Sequence, residues 1–446
     1  MAEVKMKKIS MKKYEKYKQS GVQWLGEVPE HWEVKRLKFM LSEKLKYGAN
    51  ETAESDDQEQ PRYIRITDID EQGNLKPETF KSLELEKAKE YLLNTNDILL
   101  ARSGATVGKS YIYKENLPNL ACYAGYLIRA RLEQDKFNAF FVNYFFQSSC
   151  YWDWIKSVNI QATIQNVSAE KYNDLALSVP SYEEQTAIAD FLDNKLGEID
   201  LLIGKQQTLL EKLAEQRTAT ITTTVTKGLN PNAPMKQSSV EWLGEVPEHW
   251  EVCRLKDEVT YNDETLSDKT DLDYEMLYVD ISNVSLGKGI IQKEEMTFEN
   301  SPTRARRIVK NGDVIISTVR TYLKAITLIE NAEDNLVVST GFAVLRPKEN
   351  LLPKFLSYWV QSEKMIRAII ANSVGVSYPA INATDLVRLP IVKIPLSEQT
   401  AIANYLDKET AKIDRLCDTV NQTINRLQEY RTALITQVVT GKIKVV

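Results

Sequence analysis

The fifteen residues from Trp24 to Lys38, WLGEVPEHWEVKRLK, occur again from Trp242 to Lys256 as WLGEVPEHWEVCRLK, with fourteen of fifteen positions identical at an offset of 218. A chain that carries such a word twice folds as two related bodies, because each copy asks for the same surroundings. A second word, Glu184-Gln185-Thr186-Ala187-Ile188-Ala189 followed by Leu192-Asp193, returns at an offset of 214 as Glu398-Gln399-Thr400-Ala401-Ile402-Ala403 and Leu406-Asp407. Between these words the halves have diverged. A frame kept twice suits two halves packing together or two copies of one partner; diverged contents suit two different ligands.

At 446 residues the chain exceeds what one core usually supports, so two bodies of about 150 residues plus connectors are expected. With 57 basic and 62 acidic residues, bulk positive charge cannot hold nucleic acid, and any basic surface must be local. Cys122, Cys150, Cys253 and Cys417 have no ligand spacing and read as reduced thiols of a cytoplasmic protein. No apolar run approaches the ~18 residues of a membrane span. Residues 1–19 carry seven lysines and read as a mobile basic arm.

In the first body, Arg62 to Asp70 alternates like a half-buried strand, and Asp97 to Ala101, Lys109 to Tyr113 and Tyr126 to Arg129 read as further strands. The second body offers Leu277 to Ser282, Asp313 to Ser317, Leu323 to Leu328 and Phe342 to Leu345 in the same roles. An aromatic-rich helix follows in each, Phe137 to Ile155 and Pro353 to Ile370, before a loop and a last strand. Alternate steps of four and three from Leu192 and from Leu406 trace two seams in the same phase, through Leu196, Ile199 and Ile203 and through Ile413, Val420 and Leu427. Polar seam positions in the first copy match apolar ones in the second, which favours pairing within one chain over a homo-oligomer. From Ile188 to Val225 the helix would run about 57 Å at ~1.5 Å per residue. The expected fold is α+β (mixed α/β): two globular domains separated by two long helices in an antiparallel intramolecular coiled coil, with internal pseudo-two-fold duplication.

Catalytic motifs are missing. Gly104 to Ser110 resembles a phosphate loop but has three residues between its glycines where that motif needs four. The only histidines are His31 and His249, and Pro29 sits between Glu27 and His31, so no helical metal pair forms there. No metal site is expected.

The order WLGEVPEHWEV, then Asn96-Asp97-Ile98-Leu99 with Arg102-Ser103-Gly104 and Val107-Gly108-Lys109, then EEQTAIADFLD entering a long helix, resembles the specificity (S) subunits of type I restriction-modification systems. The second copy keeps Gly312-Asp313-Val314-Ile315 but replaces the glycine-bearing loop with Thr318-Val319-Arg320 and Tyr322-Leu323-Lys324. The resemblance implies a non-enzymatic subunit with two target-recognition domains, each reading one half of an asymmetric bipartite sequence in double-stranded DNA. It implies two modification (methyltransferase) subunits docked on the chain, restriction subunits completing the nuclease, and S-adenosylmethionine, ATP and Mg on those partners with no cofactor here. Domain boundaries follow as arm 1–19, first recognition domain 20–180, helix 181–228, linker 229–238, second recognition domain 239–394 and helix 395–446.

Bases are read by arginine, amide and aromatic side chains on loops. The first body offers Arg102, Lys109 and the amide-rich Gln161, Thr163, Gln165 and Asn166. The second offers Arg304, Arg306, Arg307 and Lys310, then Arg320, Tyr322 and Lys324, joined by the loop to Tyr378. The partner-docking frame is expected at Trp24, Trp32, Gln185 and Ile188 and at Trp242, Trp250, Gln399 and Ile402. Two other readings remain: an adaptor that binds two copies of a protein through its coiled coil, and an enzyme with unrecognised chemistry.

Overall fold

The computed structural model describes residues 12–70, 73–114, 120–159, 166–375 and 378–445. It divides into two units, Met1–Gln206 with Asn421–Val446, and Gln207–Val420. Each unit therefore holds one body, the beginning of the long helix that follows it and the end of the other long helix.

The first body is built on an antiparallel sheet in the order Lys46–Tyr47, Leu127–Ala130, Ile98–Ala101, Ser110–Ile112, beside a parallel pair, Arg62–Ile64 with Ala121–Tyr123. The second repeats the order with Val259–Tyr261, Phe342–Pro347, Val314–Ser317 and Ile326–Leu328. Its companion sheet is larger, running Glu294–Thr297, Glu275–Val279, Leu336–Ser339, Ala305–Ile308, with one parallel pair. The strand Ile98–Ala101 is buried on both faces: Ile98 and Leu100 belong to one core with Phe141 and Phe145, while Leu99 and Ala101 belong to another with Ile64 and Tyr123. That is why it reads as a continuous apolar run without alternation.

The repeated words are sheet and core. Glu33–Arg36 pairs antiparallel with Ala176–Val179, and Glu251–Arg254 with Pro390–Lys393, so the first word closes onto the last strand of its own body. The Asp of each strand entry is an internal clamp: Arg131 grips buried Asp97 with bonds of 2.8 and 2.7 Å, and Arg346 grips buried Asp313 with two of 2.8 Å.

Several local expectations are revised. The alternation over 62–70 ends after Ile64, where Ile66–Asp68 turns into a 3-10 helix because the Asp68 carboxylate caps the Arg65 amide at 2.9 Å. Likewise the strand expected over 277–282 stops at Val279, and that over 323–328 begins only at Ile326. The aromatic helices each split in two, at Ser148 and at Ser362, whose hydroxyls accept from Tyr151 N and Met365 N and so start a new helix. Within the supposed arm, Tyr17–Gln19 pairs with Glu27–Pro29, and Tyr14 is buried against Trp32. Residues 12–19 are thus part of the first body, matched by Met235–Gln237 pairing with Glu245–Pro247 in the second.

The long helices run Tyr182–Lys227 and Leu396–Val439. In the first unit Leu192, Leu196, Ile199 and Ile203 pack with Leu427, Leu434 and Val438. The pairing is antiparallel, since the second helix ends at Val439 on Ser178, just before the first begins. In the second unit the first helix ends at Gly228, and a Cβ there would lie 3.5 Å from Glu398 at the start of the second helix.

Both helix ends use a left-handed glycine after the last turn, Gly228 (φ 74°) and Gly441 (φ 70°). A Cβ on Gly441 would fall 2.4 Å from Pro29 and 3.3 Å from Trp32; one on Gly228 would fall 3.3 Å from Trp250. The Pro-Glu-His-Trp word is kept because a helix terminus is seated on it in each unit.

Candidate nucleic-acid interface

In the first body the strand Ile98–Ala101 delivers a hairpin, residues 102–109, through a 3-10 turn Gly104–Thr106. The turn is entered and left in the left-handed region, at Gly104 (φ 78°) and Gly108 (φ 88°), where glycine has no Cβ penalty. Ser103 bridges Asn166, and Val167 N donates to Arg102 O at 2.8 Å, so Asn166 and Val167 lie along the hairpin. The Arg102 guanidinium stacks over Tyr47 at 4.8 Å, its amide donates to Tyr126 O, and the Tyr126 ring is 68% exposed beside it. Lys109 is exposed.

The second body reproduces this backbone with other side chains. The strand Val314–Ser317 leads to the 3-10 turn Thr321–Leu323, Val319 bridges Ala380, and Ile381 N donates to Thr318 O at 2.8 Å. Its entry and exit residues, again left-handed, are Arg320 (φ 50°) and Lys324 (φ 52°), at the positions that Gly104 and Gly108 hold in the first body. For residues with a Cβ this conformation costs roughly 1–2 kcal/mol each. The Arg320 guanidinium lies 4.9 Å over the exposed Tyr378 ring, and the Thr321 and Ser373 hydroxyls join the two loops at 3.1 Å. Tyr322, Leu323 and Val374 are exposed around them.

The structure thus brings Arg320, Tyr322, Lys324 and Tyr378 together, and Arg102 and Asn166 likewise. Gln161, Thr163 and Gln165 lie outside the described residues. The basic cluster on 304–310 is spread along and beside Ala305–Ile308, the edge strand of the companion sheet, and its side chains have partners within the body. Arg304 bonds the Asp280 carboxylate and the Tyr278 hydroxyl, which raise its pKa above the ordinary guanidinium value. Arg306 stacks on Phe298 at 4.4 Å, Arg307 reaches Thr265 at 3.1 Å with its pKa lowered by burial, and Lys310 meets Glu264 at 2.5 Å. A ligand would compete with these contacts, and the Arg304 and Lys310 side chains are more than half exposed. Tyr47 and Tyr126 were missed: neither belongs to a repeated word, and only the folded sheet sets them beside Arg102.

The docking frame is corrected as well. Trp32, Trp250, Ile188 and Ile402 are fully buried, and Trp24 and Trp242 are half-buried. Gln185 spends its amide on Asn138 N, Lys136 O and Pro180 O, and Gln399 on Leu352 N, Asn350 O and Ile394 O. Burial gives Trp32, Gln185, Ile188 and their counterparts a role in each core, while Trp24 and Trp242 keep part of their surface. Exposed apolar positions that recur on the helices are Leu202 with Leu416, and Tyr182 with Leu396. No helix is long and apolar enough to cross a membrane among the described residues.

Comparison with known proteins bears on both halves. The family model for the type I restriction modification DNA specificity domain matches residues 29–211 and 247–427. The putative type I restriction enzyme MjaX specificity subunit of Methanocaldococcus jannaschii is 25% identical over 432 residues, 94% of this chain and 96% of that protein. The MjaVIII specificity subunit of the same organism is 23% identical over 364 residues, covering 80% and 81%. A chain from a solved structure on complex assembly and conformational transition of the type I R-M system superposes with a TM-score of 0.66 at 15% identity, covering 92% and 98%. With the family domain present twice over most of its length, on the frame and hairpins described above, this chain belongs to the type I restriction-modification DNA specificity family.

Proposed function

We propose that the chain is the non-catalytic specificity subunit of a cytoplasmic type I complex, and that each body reads one half of an asymmetric bipartite sequence in double-stranded DNA. The observation that carries this reading is the pair of equivalent hairpins: one backbone is presented twice with different side chains, Arg102 and Lys109 on one and Arg320, Tyr322 and Lys324 on the other. An identical presentation with changed contents suits two half-sites of different sequence. The long helices hold the half-sites at a fixed gap, and two modification subunits dock on the repeated exposed positions around Leu202 and Leu416. Those partners carry S-adenosylmethionine, and restriction subunits with ATP and Mg complete the nuclease. A net charge of −5 is compatible, because partner subunits supply much of the phosphate contact.

The test is assembly with the cognate modification subunit, followed by methylation mapping on random-sequence DNA. A complex of two modification subunits per chain, methylating one bipartite sequence, is expected. One modification subunit per chain at saturation, or methylation without sequence preference, would overturn the reading.

A further inference from the structure

We propose that Arg320, held against Tyr378, reads a guanine in the half-site of the second body, and that Lys324 contacts a flanking phosphate; this rests on the DNA-reading function proposed above. The argument begins with the backbone. At two positions where the first body uses glycine, the second carries the two long cationic side chains, at φ 50° and 52°. The first body shows that the turn forms with glycine at both positions, so neither Arg320 nor Lys324 is required for the conformation they occupy. A non-glycine residue kept in a strained region over-determined by its surroundings is a mark of function rather than of folding. Here the surroundings are visible: bridges Val319–Ala380 and Val374–Ala380 and the Thr321–Ser373 hydroxyl contact hold the turn from both sides.

Several other cations of the same body are paired with acids. Arg304, Arg306, Lys310 and Arg346 each face a carboxylate, whereas Arg320 and Lys324 have no ion-pair partner among the described residues. Among the described residues the Arg320 guanidinium lies over the exposed Tyr378 ring at 4.9 Å. A cation–π contact over a ring face restrains the guanidinium without using its N–H donors. A planar fork of oriented donors matches the paired O6 and N7 acceptors of guanine in the major groove, while a lysine ammonium acts as a point charge suited to a phosphate. The first body stacks Arg102 on Tyr47 in the same manner, but from a strand-end position with its Nε buried. The two bodies therefore present an arginine fork from different places on one scaffold, as two different half-sites require.

The experiment uses the full chain assembled with its modification subunit. Arg320→Gly installs the residue that the first body already tolerates, so the melting temperature should hold or rise. Methylation mapping should show the requirement for one guanine in the second half-site relaxed by ten-fold or more, with the first half-site unchanged. Arg320→Lys, which keeps the charge and loses the fork, should lose the same preference. Lys324→Gly should weaken binding evenly across sequences and make the salt dependence shallower by about one phosphate contact. The proposal is overturned if Arg320→Gly methylates the same sequence with the same preference, or if it weakens all sequences equally, or if it melts early while Arg320→Lys keeps full preference. Failure of the underlying function is separate: the unsubstituted complex would then show no bipartite sequence at all.

Discussion

Arg431 donates to the Asp200 carboxylate across 3.2 Å although 231 positions separate them, and in the other unit Arg217 faces Asp414 at 3.6 Å. The two contacts are copies of one interaction exchanged between the helices: in the duplicated numbering Arg431 is the counterpart of Arg217, and Asp414 of Asp200. Each unit is therefore completed by the end of a helix that starts in the other. Alanine at Asp200 or Arg431 should cost about 0.5–1.5 kcal/mol, more than an exposed pair because both groups are partly buried. The exchange Asp200→Arg with Arg431→Asp should recover part of it. Urea unfolding in a double-mutant cycle measures the coupling, and a value near zero would mean that the pair does not help hold the register.

The repeated words and the repeated exposed positions make opposite predictions. Trp250→Ala empties a fully buried site and should destabilise by about 3–5 kcal/mol. Leu202→Asp and Leu416→Asp, on exposed helix faces, should change stability by less than about 0.5 kcal/mol. They should nevertheless reduce the number of modification subunits bound. Light scattering of the assembled variants checks this, and undiminished binding would place docking elsewhere.

Acid should unfasten both bodies at equivalent places. Glu43 accepts from Arg131 at 2.7 Å and Arg129 at 2.6 Å, and Glu264 accepts from Lys310 and Arg346; these bonds lower both carboxyl pKa values, chiefly through Arg131 and through Lys310. A folded value below the unfolded one means that the stabilisation is present above the ordinary glutamate pKa of about 4.5 and is lost as pH falls through the folded value. Glu43→Gln with Glu264→Gln should lower stability at pH 7 and flatten its decline below about pH 4.5. Parallel acid profiles for the two proteins would exclude these carboxylates as contributors.

The helices are expected to set the gap between half-sites. Four residues inserted after Gln206 and four after Val420, where the chain divides into its units, keep the helical phase approximately and add ~6 Å to each helix. With base pairs rising ~3.4 Å, the unspecified gap should widen by one or two base pairs while both half-sites keep their sequence. Methylation mapping reads the gap directly, and full activity at the original spacing would show that the helices do not act as a ruler.

The duplication, the α+β character of each body and the seam from Leu192 to Ile203 were legible in the chain because they are written in nearest-neighbour patterns. Exact repetition, apolar runs and a 3.5-residue period need no partner to be recognised. What the repeated words do was not legible. Trp32 and Gln185 look like a surface kept for a partner until the sheet closes on them, since burial is decided by residues far away in sequence. The same holds for charge: Arg304 and Arg320 are alike in the sequence, and only the fold places Asp280 beside one and Tyr378 beside the other. Left-handed φ at Arg320 and Lys324 is likewise imposed by the flanking bridges and not by local preference, which would place glycine there. The sequence by itself determined that there are two bodies and a paired helical connector; tertiary structure decided which side chains are core and which cations remain free, because burial and pairing depend on contacts between residues distant along the chain.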